Sequence, residues 1–119
     1  MLNIKRIYDA PAWGDGYRIL VDRLWPRGIS KERARLSEWA KDIAPSNELR
    51  QEFGHDPEKF DWFQRAYVNE LNKNAATRDF IGAVKSLLSK GNVTLLYGAR
   101  DPKINQAVVL KEYVGKRLK

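Results

Sequence analysis

Residues 16–29, GYRILVDRLWPRGI, change within a few positions from a buried strand to a charged loop. The aliphatic run at 19–21 is typical of a strand that is covered on both faces of a parallel sheet. Asp22 and Arg23 then place charge at the carboxyl end of this strand. Open α/β sheets bind ligands at that end of their strands, so this stretch predicts both a fold class and the position of a site.

The composition predicts one basic domain with a substantial core. The chain has 119 residues, of which 43% are hydrophobic, and its 22 basic against 15 acidic residues give a net charge of +7. This imbalance favours an anionic partner, such as a nucleic acid, a phosphorylated small molecule or an acidic protein surface. The absence of cysteine excludes disulfides, thiolate catalysis and cysteine metal sites.

The remaining sequence signals concern location and cofactors. No apolar run approaches the ~20 residues that span a membrane, and the first residues lack the arrangement of a signal peptide. We therefore expect a cytoplasmic protein without a membrane partner, and no oligomeric state is indicated. There is no Walker phosphate loop, dinucleotide glycine motif or zinc spacing, so we expect no metal and no cofactor.

Two further segments have strand character. Residues 2–8 predict a first strand, whose direction stays open because the loop 9–16 is too short for a helical crossover. Residues 93–97, VTLLY, predict a buried strand parallel to the run at 19–21, since helices lie between them in sequence. We expect a single α/β domain over residues 1–119, with a small, at least partly parallel three-stranded sheet packed with four to six helices.

The helix predictions rest on apolar spacing and on capping residues. In the first half of the chain we expect a short basic helix at 31–35 capped by Ser30, a helix at 36–44, and a helix at 47–53 capped by Ser46. A longer helix at 58–72 is expected to start after Asp56 and Pro57. The last two expected helices are one that Thr77 caps and a left-handed Gly91 ends, and one that starts at Asp101 and Pro102. We expect Trp13, Trp39 and Trp62 to lie in the core.

If the two buried strands are parallel, charged residues from both loops meet at one crevice. The expected ligand-binding residues are Arg23, Trp25, Arg27, Lys31 at the start of the short helix, Arg100, and Asn105 one helical turn further on. Arginine presents a planar fork of donors that matches phosphate or carboxylate. The catalytic candidates are weak: Asp22 and Asp101 as general bases, and the single histidine, His55.

Structural roles compete with each of these assignments. Asp22 and an arginine can pair internally to fasten the loop, and this explains Asp22 and Arg23 as well as a binding site does. Trp25 can cover the core rather than stack on a base or sugar. For His55, packing or hydrogen bonding at a helix start is favoured over acid–base work.

Four motifs resemble a known family over nearly the whole chain. They are VDRLWPRGISKE at 21–32, WAKDIAPSNELR at 39–50, FGHDPEKF at 53–60 and VTLLYGARD at 93–101. Together they are similar to the YeaO-like branch of the domain-of-unknown-function family 488. The resemblance implies a small bacterial or archaeal α/β domain without an established function.

The resemblance also implies that the chemistry of longer superfamily members is absent. In those members the last strand ends in a cysteine, and a Cys-His-Arg triplet, taken as the reactive centre, follows an acidic-Pro turn. Without gaps, the strand cysteine corresponds to Tyr97, and the triplet corresponds to residues 105–107, Asn-Gln-Ala. Asp22 and Arg23 match the acidic residue and arginine at the superfamily's strand end. The pocket is therefore expected to persist without its catalyst, with Tyr97 among its ligand-binding residues.

Three functions remain open at this point. The first is a module that binds an anionic ligand at the strand ends, and the basic charge and the missing nucleophiles favour it. The second is a hydrolase or transferase that acts on a phosphate-bearing substrate with Asp22 or Asp101. The third is a protein-interaction subunit.

Overall fold

A computed structural model of the chain, which describes residues 1–118, has a four-stranded sheet at its centre. The strands are β1 (Leu2–Arg6), β2 (Tyr17–Leu20), β3 (Glu38–Trp39) and β4 (Val93–Tyr97), in the spatial order β1-β4-β2-β3. Every neighbouring pair is parallel. The predicted parallel pairing of β2 with β4 is confirmed, and the open direction of β1 is settled as parallel to β4.

Within residues 1–118, five α-helices connect and cover the strands. They are α1 (Lys31–Ala34), α2 (Asn47–Phe53), α3 (Phe60–Lys73), α4 (Thr77–Leu88) and α5 (Gln106–Arg117), and short 3-10 turns lie at Trp13–Asp15, Lys41–Ile43 and Pro57–Lys59. Within residues 1–118, no helix is both long enough and apolar enough to cross a bilayer.

The sheet separates two apolar layers. On one face, Ile19, Val21 and Leu95 pack with residues of the four longer helices, including Tyr67 of α3. On the other face, Leu20 and Leu96 pack against residues from the loops and from α1. All five residues of β4 are buried, as expected for a central strand covered on both sides.

Gly16 determines where β2 can begin. Its φ is +64°, and a Cβ at this position would lie 2.0 Å from the backbone oxygen of Asn92. The following residue, Tyr17, donates its N–H to that same oxygen at 2.9 Å. Only glycine allows β2 to approach the start of β4 this closely.

The predicted helix at 36–44 is wrong, and this segment contains the fourth strand. The N–H groups of Ser37 and Ala40 donate to the backbone oxygens of Arg18 and Leu20, at 2.8 and 2.9 Å. The segment therefore pairs with the open edge of β2 as β3 before it turns. Pairing with the sheet outweighs a local apolar spacing that is compatible with a helix.

Capping was predicted correctly at three helix starts. The side chains of Ser30 and Ser46 accept hydrogen bonds from Arg33 N and Leu49 N at the starts of α1 and α2. Asp56 caps the 3-10 turn that leads into α3, whose apolar residues Phe63, Tyr67 and Leu71 are buried.

Three other predictions about helix ends are wrong. Thr77 is the first residue of α4, and its hydroxyl donates to Leu71 O at 2.7 Å instead of capping. Gly91 is not among the glycines with positive φ in the described chain. The Asp101–Pro102 pair forms a turn, and α5 begins five residues after Asp101, at Gln106.

Two of the three tryptophans predicted in the core are at the surface. The side chain of Trp13 is fully exposed, at 103% of its reference area, and Trp62 is 37% exposed. Trp39 is half-buried, and its indole N–H donates to Asp22 O at 2.7 Å. The number of aromatic residues in the sequence therefore led to an overestimate of how many of them lie in the core.

Candidate functional site

Asp22 joins the carboxyl ends of β2 and β4. Its Oδ2 accepts a hydrogen bond from Gly98 N at 2.9 Å, and its Oδ1 accepts one from the side-chain amide of Gln106. A Cβ on Gly98 would lie 2.8 Å from Asp22 Oδ2. Glycine after β4 is thus needed for the carboxylate to reach the backbone. The expected pairing of Asp22 with an arginine is not what holds this loop.

A cavity of about 350 Å³ opens beside this carboxylate. Its walls come from the loop after β2, from α2 and the turn that follows it, and from residues near the start of α5. The lining residues are Tyr8, Asp22, Arg23, Leu24, Trp25, Pro26, Arg27, Pro45, Arg50, Phe53, His55, Phe63, Gly98, Ala99 and Gln106. The strand-end crevice expected from the sequence is therefore present as a cavity of ligand size.

Arg50 is the most unusual of the lining residues. It lies on α2, and its Nε is the one buried side-chain nitrogen or oxygen in residues 1–118 that has no hydrogen-bond partner. Leaving a buried donor unpaired costs about 1–3 kcal/mol, more when the group is charged. Arg50 therefore combines a place in the cavity lining with a buried N–H that the described chain leaves unpaired.

The Asp22 carboxyl has an altered proton affinity. Burial raises its pKa to about 6, although the Gly98 N–H, the Gln106 amide and the charge of Arg50 each lower it in part. The carboxyl group can therefore change its charge near neutral pH.

Arg23 lines the cavity but has a structural role. Its Nε donates to Pro45 O at 2.8 Å, and one terminal nitrogen donates to Ala44 O at 2.9 Å. These bonds attach the β2 loop to the segment before α2. Its positive charge still contributes to the potential in the cavity.

The loop residues Trp25, Pro26 and Arg27 line the cavity. The Trp25 indole N–H donates to Ile29 O at 2.7 Å, and its ring meets Trp39 edge-on with centroids 5.4 Å apart. Tyr8 donates its hydroxyl to Arg27 O at 2.8 Å, while the Arg27 side chain is exposed. Trp25 thus both covers the core and lines the cavity, so the two roles weighed for it are compatible.

His55 also lines the cavity. It has a φ of +59° and follows Gly54, whose φ is +55°. Two left-handed residues in succession end α2 and bring the exposed imidazole to the cavity. Its ring centroid is 6.1 Å from that of Phe53.

The other predicted ligand-binding residues lie outside the cavity lining. Lys31 is exposed on α1, and Arg100 is exposed in the loop after β4. Asn105 is 1% exposed and caps α5, where its oxygen accepts from Val108 N at 3.1 Å. Tyr97 is buried in the larger apolar layer, and burial raises its pKa. Ligand contacts by these four residues have no support from the geometry.

Asp101, the second candidate base, is also outside the cavity lining. Its Oδ1 accepts hydrogen bonds from Lys103 N at 2.8 Å and from Ile104 N at 3.2 Å. This exposed carboxylate shapes the turn before α5, which is a structural role.

Two residues of the cavity lining, Arg50 and Gln106, were not predicted from the sequence. Arg50 shares a face of α2 with Phe53, three residues further on, and this spacing was readable. The side-chain amide of Gln106 donates a hydrogen bond to Asp22; the resemblance to longer superfamily members placed the histidine of their triplet at this position. In residues 1–118, no group of three or more histidine and carboxylate side chains could hold a metal ion.

Comparison with known proteins places the chain in one family. A family model described as the inactive DUF488-N3 subclade matches residues 1–119. The uncharacterized protein YeaO of Escherichia coli K12 is 40% identical over 113 residues, which cover 95% of this chain and 96% of YeaO. The uncharacterized proteins Mb3100c of Mycobacterium bovis and Rv3073c of Mycobacterium tuberculosis H37Rv are each 37% identical over 116 residues, covering 98% of this chain and 95% of each relative.

No solved structure matches the chain. The resemblance inferred from the four motifs is confirmed, and none of these relatives has a described activity. Because the family model covers every residue and the relatives match along nearly their whole length, the chain belongs to the inactive DUF488-N3 subclade.

Proposed function

We propose that this protein binds a small anionic ligand in the cavity at the carboxyl ends of β2 and β4. The observation that carries the proposal is the guanidinium of Arg50: this residue lines the cavity, and its buried Nε has no partner within residues 1–118. An anion in the cavity would accept hydrogen bonds from this incompletely paired guanidinium, and hydrogen bonds to charged groups contribute about 1.5–3 kcal/mol each.

The charges around the cavity support an anion. Three arginines line it, Arg23, Arg27 and Arg50, against one carboxylate, Asp22. A concave wall with an excess of one charge raises the local concentration of ligands of the opposite charge. Phosphate-bearing molecules and nucleotides belong to the proposed ligand class. A nucleic acid would enter only by an end, because the cavity is small.

The residues that replace the superfamily's reactive groups support a role in binding without cysteine chemistry. Asn105 caps α5 and Gln106 holds Asp22. Both side chains thus take part in the scaffold. A site that keeps its charge and its shape but has no nucleophile is suited to binding.

A thermal-shift screen tests the proposal, with inorganic phosphate, nucleotides and short single-stranded DNA as probes. A ligand that binds only the folded state raises Tm. We expect at least one probe to raise Tm in the wild type and in Arg65→Leu, a control on an exposed arginine outside this cavity, but not in Arg50→Leu. An equal increase in Arg50→Leu would contradict the proposed site.

Any binding of DNA should depend strongly on salt, because several Lys and Arg contacts would release counterions. Filter binding from low to physiological ionic strength measures this dependence. An affinity that does not change with salt would exclude the electrostatic mode.

A hydrolase or transferase is the second candidate, and it is favoured by the Asp22 pKa of about 6. A general acid–base group is most effective with a pKa near the working pH. However, both Asp22 oxygens accept protein hydrogen bonds. If this candidate is correct, phosphomonoester hydrolysis should be measurable in the wild type and lost in Asp22→Asn. If the protein only binds, neither protein should show turnover.

A further inference from the structure

We propose that a second surface, between the loop 9–16 and α1, binds single-stranded nucleic acid, with one base stacked on Trp13 and the backbone phosphates along Arg33 and Arg35. None of these three residues lines the cavity that contains Arg50. The inference therefore goes beyond the proposed function and does not depend on it.

Trp13 is a large apolar side chain that the fold does not use. Its side chain is exposed at 103% of its reference area, so it contributes nothing to either apolar layer of the sheet. Tryptophan is highly buried on average in folded proteins, and it is enriched where proteins meet their partners. Both faces of this indole ring are therefore available to a partner.

The backbone that carries Trp13 is held in place on the sheet. The backbone oxygen of Gly14 accepts a hydrogen bond from the side-chain amide of Asn92 at 2.9 Å, and that of Asp15 accepts one from the hydroxyl of Thr94 at 2.7 Å. The turn is thus attached to the start of β4 while the indole ring extends into solvent. A contact made by a pre-positioned turn costs little ordering entropy on binding.

Arg18 joins this turn to α1. Its buried guanidinium donates to Asp15 at 2.5 Å, to Ala34 O at 2.8 Å and to Arg35 O at 3.2 Å. One side chain therefore binds both the turn that contains Trp13 and the carboxyl end of the short helix. The exposed indole and the exposed basic residues of α1 are thereby brought to the same side of the molecule.

An open groove lies between the loop and α1. It has a volume of about 520 Å³ and is lined by Pro11, Ser30, Glu32, Arg33 and Arg35, all of them exposed. Two guanidinium groups face one carboxylate in this lining, and Lys31 is a further exposed cation on α1. The excess of positive charge suits a partner with a negatively charged backbone.

Arg35 has an unusual backbone conformation for its residue type. Its φ is +47° at the end of α1, where glycine or asparagine is the usual residue. The side chain is nevertheless a long, exposed cation. An arginine at a position where glycine is favoured supports a use for its charge.

An exposed ring beside these arginines favours a single strand over other anions. Every unpaired base offers a flat face to an aromatic side chain, and guanidinium groups bind phosphate oxygens. In a duplex the bases are stacked on one another and their faces are hidden, so Trp13 would gain no base contact. A free phosphate would use the arginines alone and leave the ring in water.

Fluorescence anisotropy with a labelled oligothymidylate of about ten nucleotides, a length within the site sizes of single-strand binders, tests the role of the ring. The oligonucleotide carries no terminal phosphate. We expect it to bind the wild type at low ionic strength, and we expect Trp13→Ala to weaken binding by roughly 5- to 100-fold. The matched control is Trp62→Ala on α3, where the tryptophan is 37% exposed, and it should bind as the wild type does.

The salt dependence of the same assay tests the backbone contacts. Arg33→Gln and Arg35→Asn should each reduce the slope of log affinity against log salt by about 0.7, the value for one phosphate contact of a single strand. Asparagine is chosen at residue 35 because it tolerates a left-handed backbone. Trp13→Ala should leave the slope unchanged, and so should Arg78→Gln, a control on an exposed arginine of α4.

Four outcomes would contradict the inference. They are no binding of the oligothymidylate at low ionic strength, equal affinities of the wild type and Trp13→Ala, an equal effect of Trp13→Ala on a duplex of the same length, and self-association of the protein that Trp13→Ala abolishes in place of DNA binding. The last outcome would assign the ring to a contact between two copies of the chain.

The proposed function can be judged separately. Arg50→Leu should bind the oligothymidylate as tightly as the wild type, because Arg50 lies in the other site. Loss of inorganic phosphate binding in Arg50→Leu concerns the cavity alone. Either proposal can therefore fail while the other stands.

Discussion

Two arginines, Arg18 and Arg50, show how differently one residue type is used at the two ends of the sheet. Arg18 lies on β2 and is only 5% exposed. It donates to Asp15 at 2.5 Å and to Ala34 O at 2.8 Å, and its Nε lies 3.2 Å from Ala34 O and Arg35 O. The Nε of Arg50 is also buried, yet it has no partner within the described chain.

Asp15, which pairs with Arg18, and Asp22, whose pKa is influenced by the charge of Arg50, also differ in how well their charge is stabilised. Burial acts to raise the pKa of Asp15, but the Ala12 N–H, Lys5 and Arg18 outweigh burial, and the pKa lies below its usual value. At Asp22, burial dominates and the pKa is raised to about 6. The chain can therefore pair a buried charge fully at Asp15, whereas Asp22 and Arg50 have no ion-pair partner within residues 1–118 and line the cavity of the proposed site.

The largest expected effect is a loss of stability when Arg18, whose guanidinium nitrogens all donate hydrogen bonds, is replaced. Arg18→Met leaves Asp15 with Lys5 as its remaining charged partner, at 3.1 Å, and removes hydrogen bonds to two backbone oxygens. Breaking a buried ion pair from one side costs about 3–5 kcal/mol. Guanidinium unfolding should show a loss of this size.

The matched control is Lys116→Met, which removes an exposed ion pair with Glu112 on α5. It should change the free energy of unfolding by no more than ~0.5 kcal/mol. Similar losses in both variants would contradict the distinction between a scaffold pair and a surface pair.

The next effect is a pH dependence from Asp22. Its pKa is about 6 in the folded protein against 3.8 in the unfolded chain, so the folded state binds more protons between these values. Stability should therefore fall as the pH rises through this window, by up to about 3 kcal/mol at roughly 1.4 kcal/mol for each pKa unit.

Asp22→Asn should remove this part of the pH dependence. Urea unfolding at about pH 4 and about pH 7.5 measures it in both proteins, with the exposed Asp61→Asn as the control. If Asp22→Asn and the wild type change equally with pH, the carboxyl group is not destabilised by burial.

A smaller effect on stability is expected at Arg50. Arg50→Leu removes an unpaired buried donor, so the free energy of unfolding should stay constant or rise by about 1 kcal/mol, in contrast to Arg18→Met. Chemical unfolding of both variants makes the comparison. A loss of several kcal/mol in Arg50→Leu would mean that this arginine is part of the scaffold.

The smallest effect is at the rim. Arg27 and Arg100 are both exposed, but only Arg27 lines the cavity. Replacing either with alanine should change stability by less than ~0.5 kcal/mol. In calorimetry with inorganic phosphate, Arg27→Ala should weaken binding by about 3- to 10-fold, as for a rim charge, while Arg100→Ala should not. Equal weakening would extend the site beyond the cavity.

The carboxyl ends of the strands, where the candidate site lies, could be predicted from the sequence. Apolar strand segments and the glycines that bound them can be recognised within a few consecutive residues. The run at 19–21, the run at 93–97 and the helices between them imply parallel strand ends. Asp22, Arg23 and Arg27 were thereby placed correctly at one end of the sheet. The role of Arg23 was not predictable, since its acceptors, Ala44 O and Pro45 O, lie more than twenty residues away in sequence.

The rest depends on tertiary packing. Arg50 reaches the cavity because Leu49 and Phe53 anchor α2 in the core and because Glu70 binds the backbone N–H of Ser46 at 2.9 Å. The segment with β3 has helical spacing, and only the open edge of β2 turns it into a strand. Asp101 and Asn105 both have capping side chains, and the packing of α5 determines that Asn105 caps it.

The most direct measurement is ¹⁵N NMR of the arginine Nε–Hε groups during titration with inorganic phosphate and, separately, with AMP. The account predicts that the Arg50 resonance shifts saturably with at least one of these anions, while the Arg18 resonance stays in place because its N–H already has protein acceptors. An Arg50 resonance that does not move at saturating concentrations of either anion, or equal shifts at Arg18 and Arg50, would contradict the claim that the cavity binds an anion through Arg50.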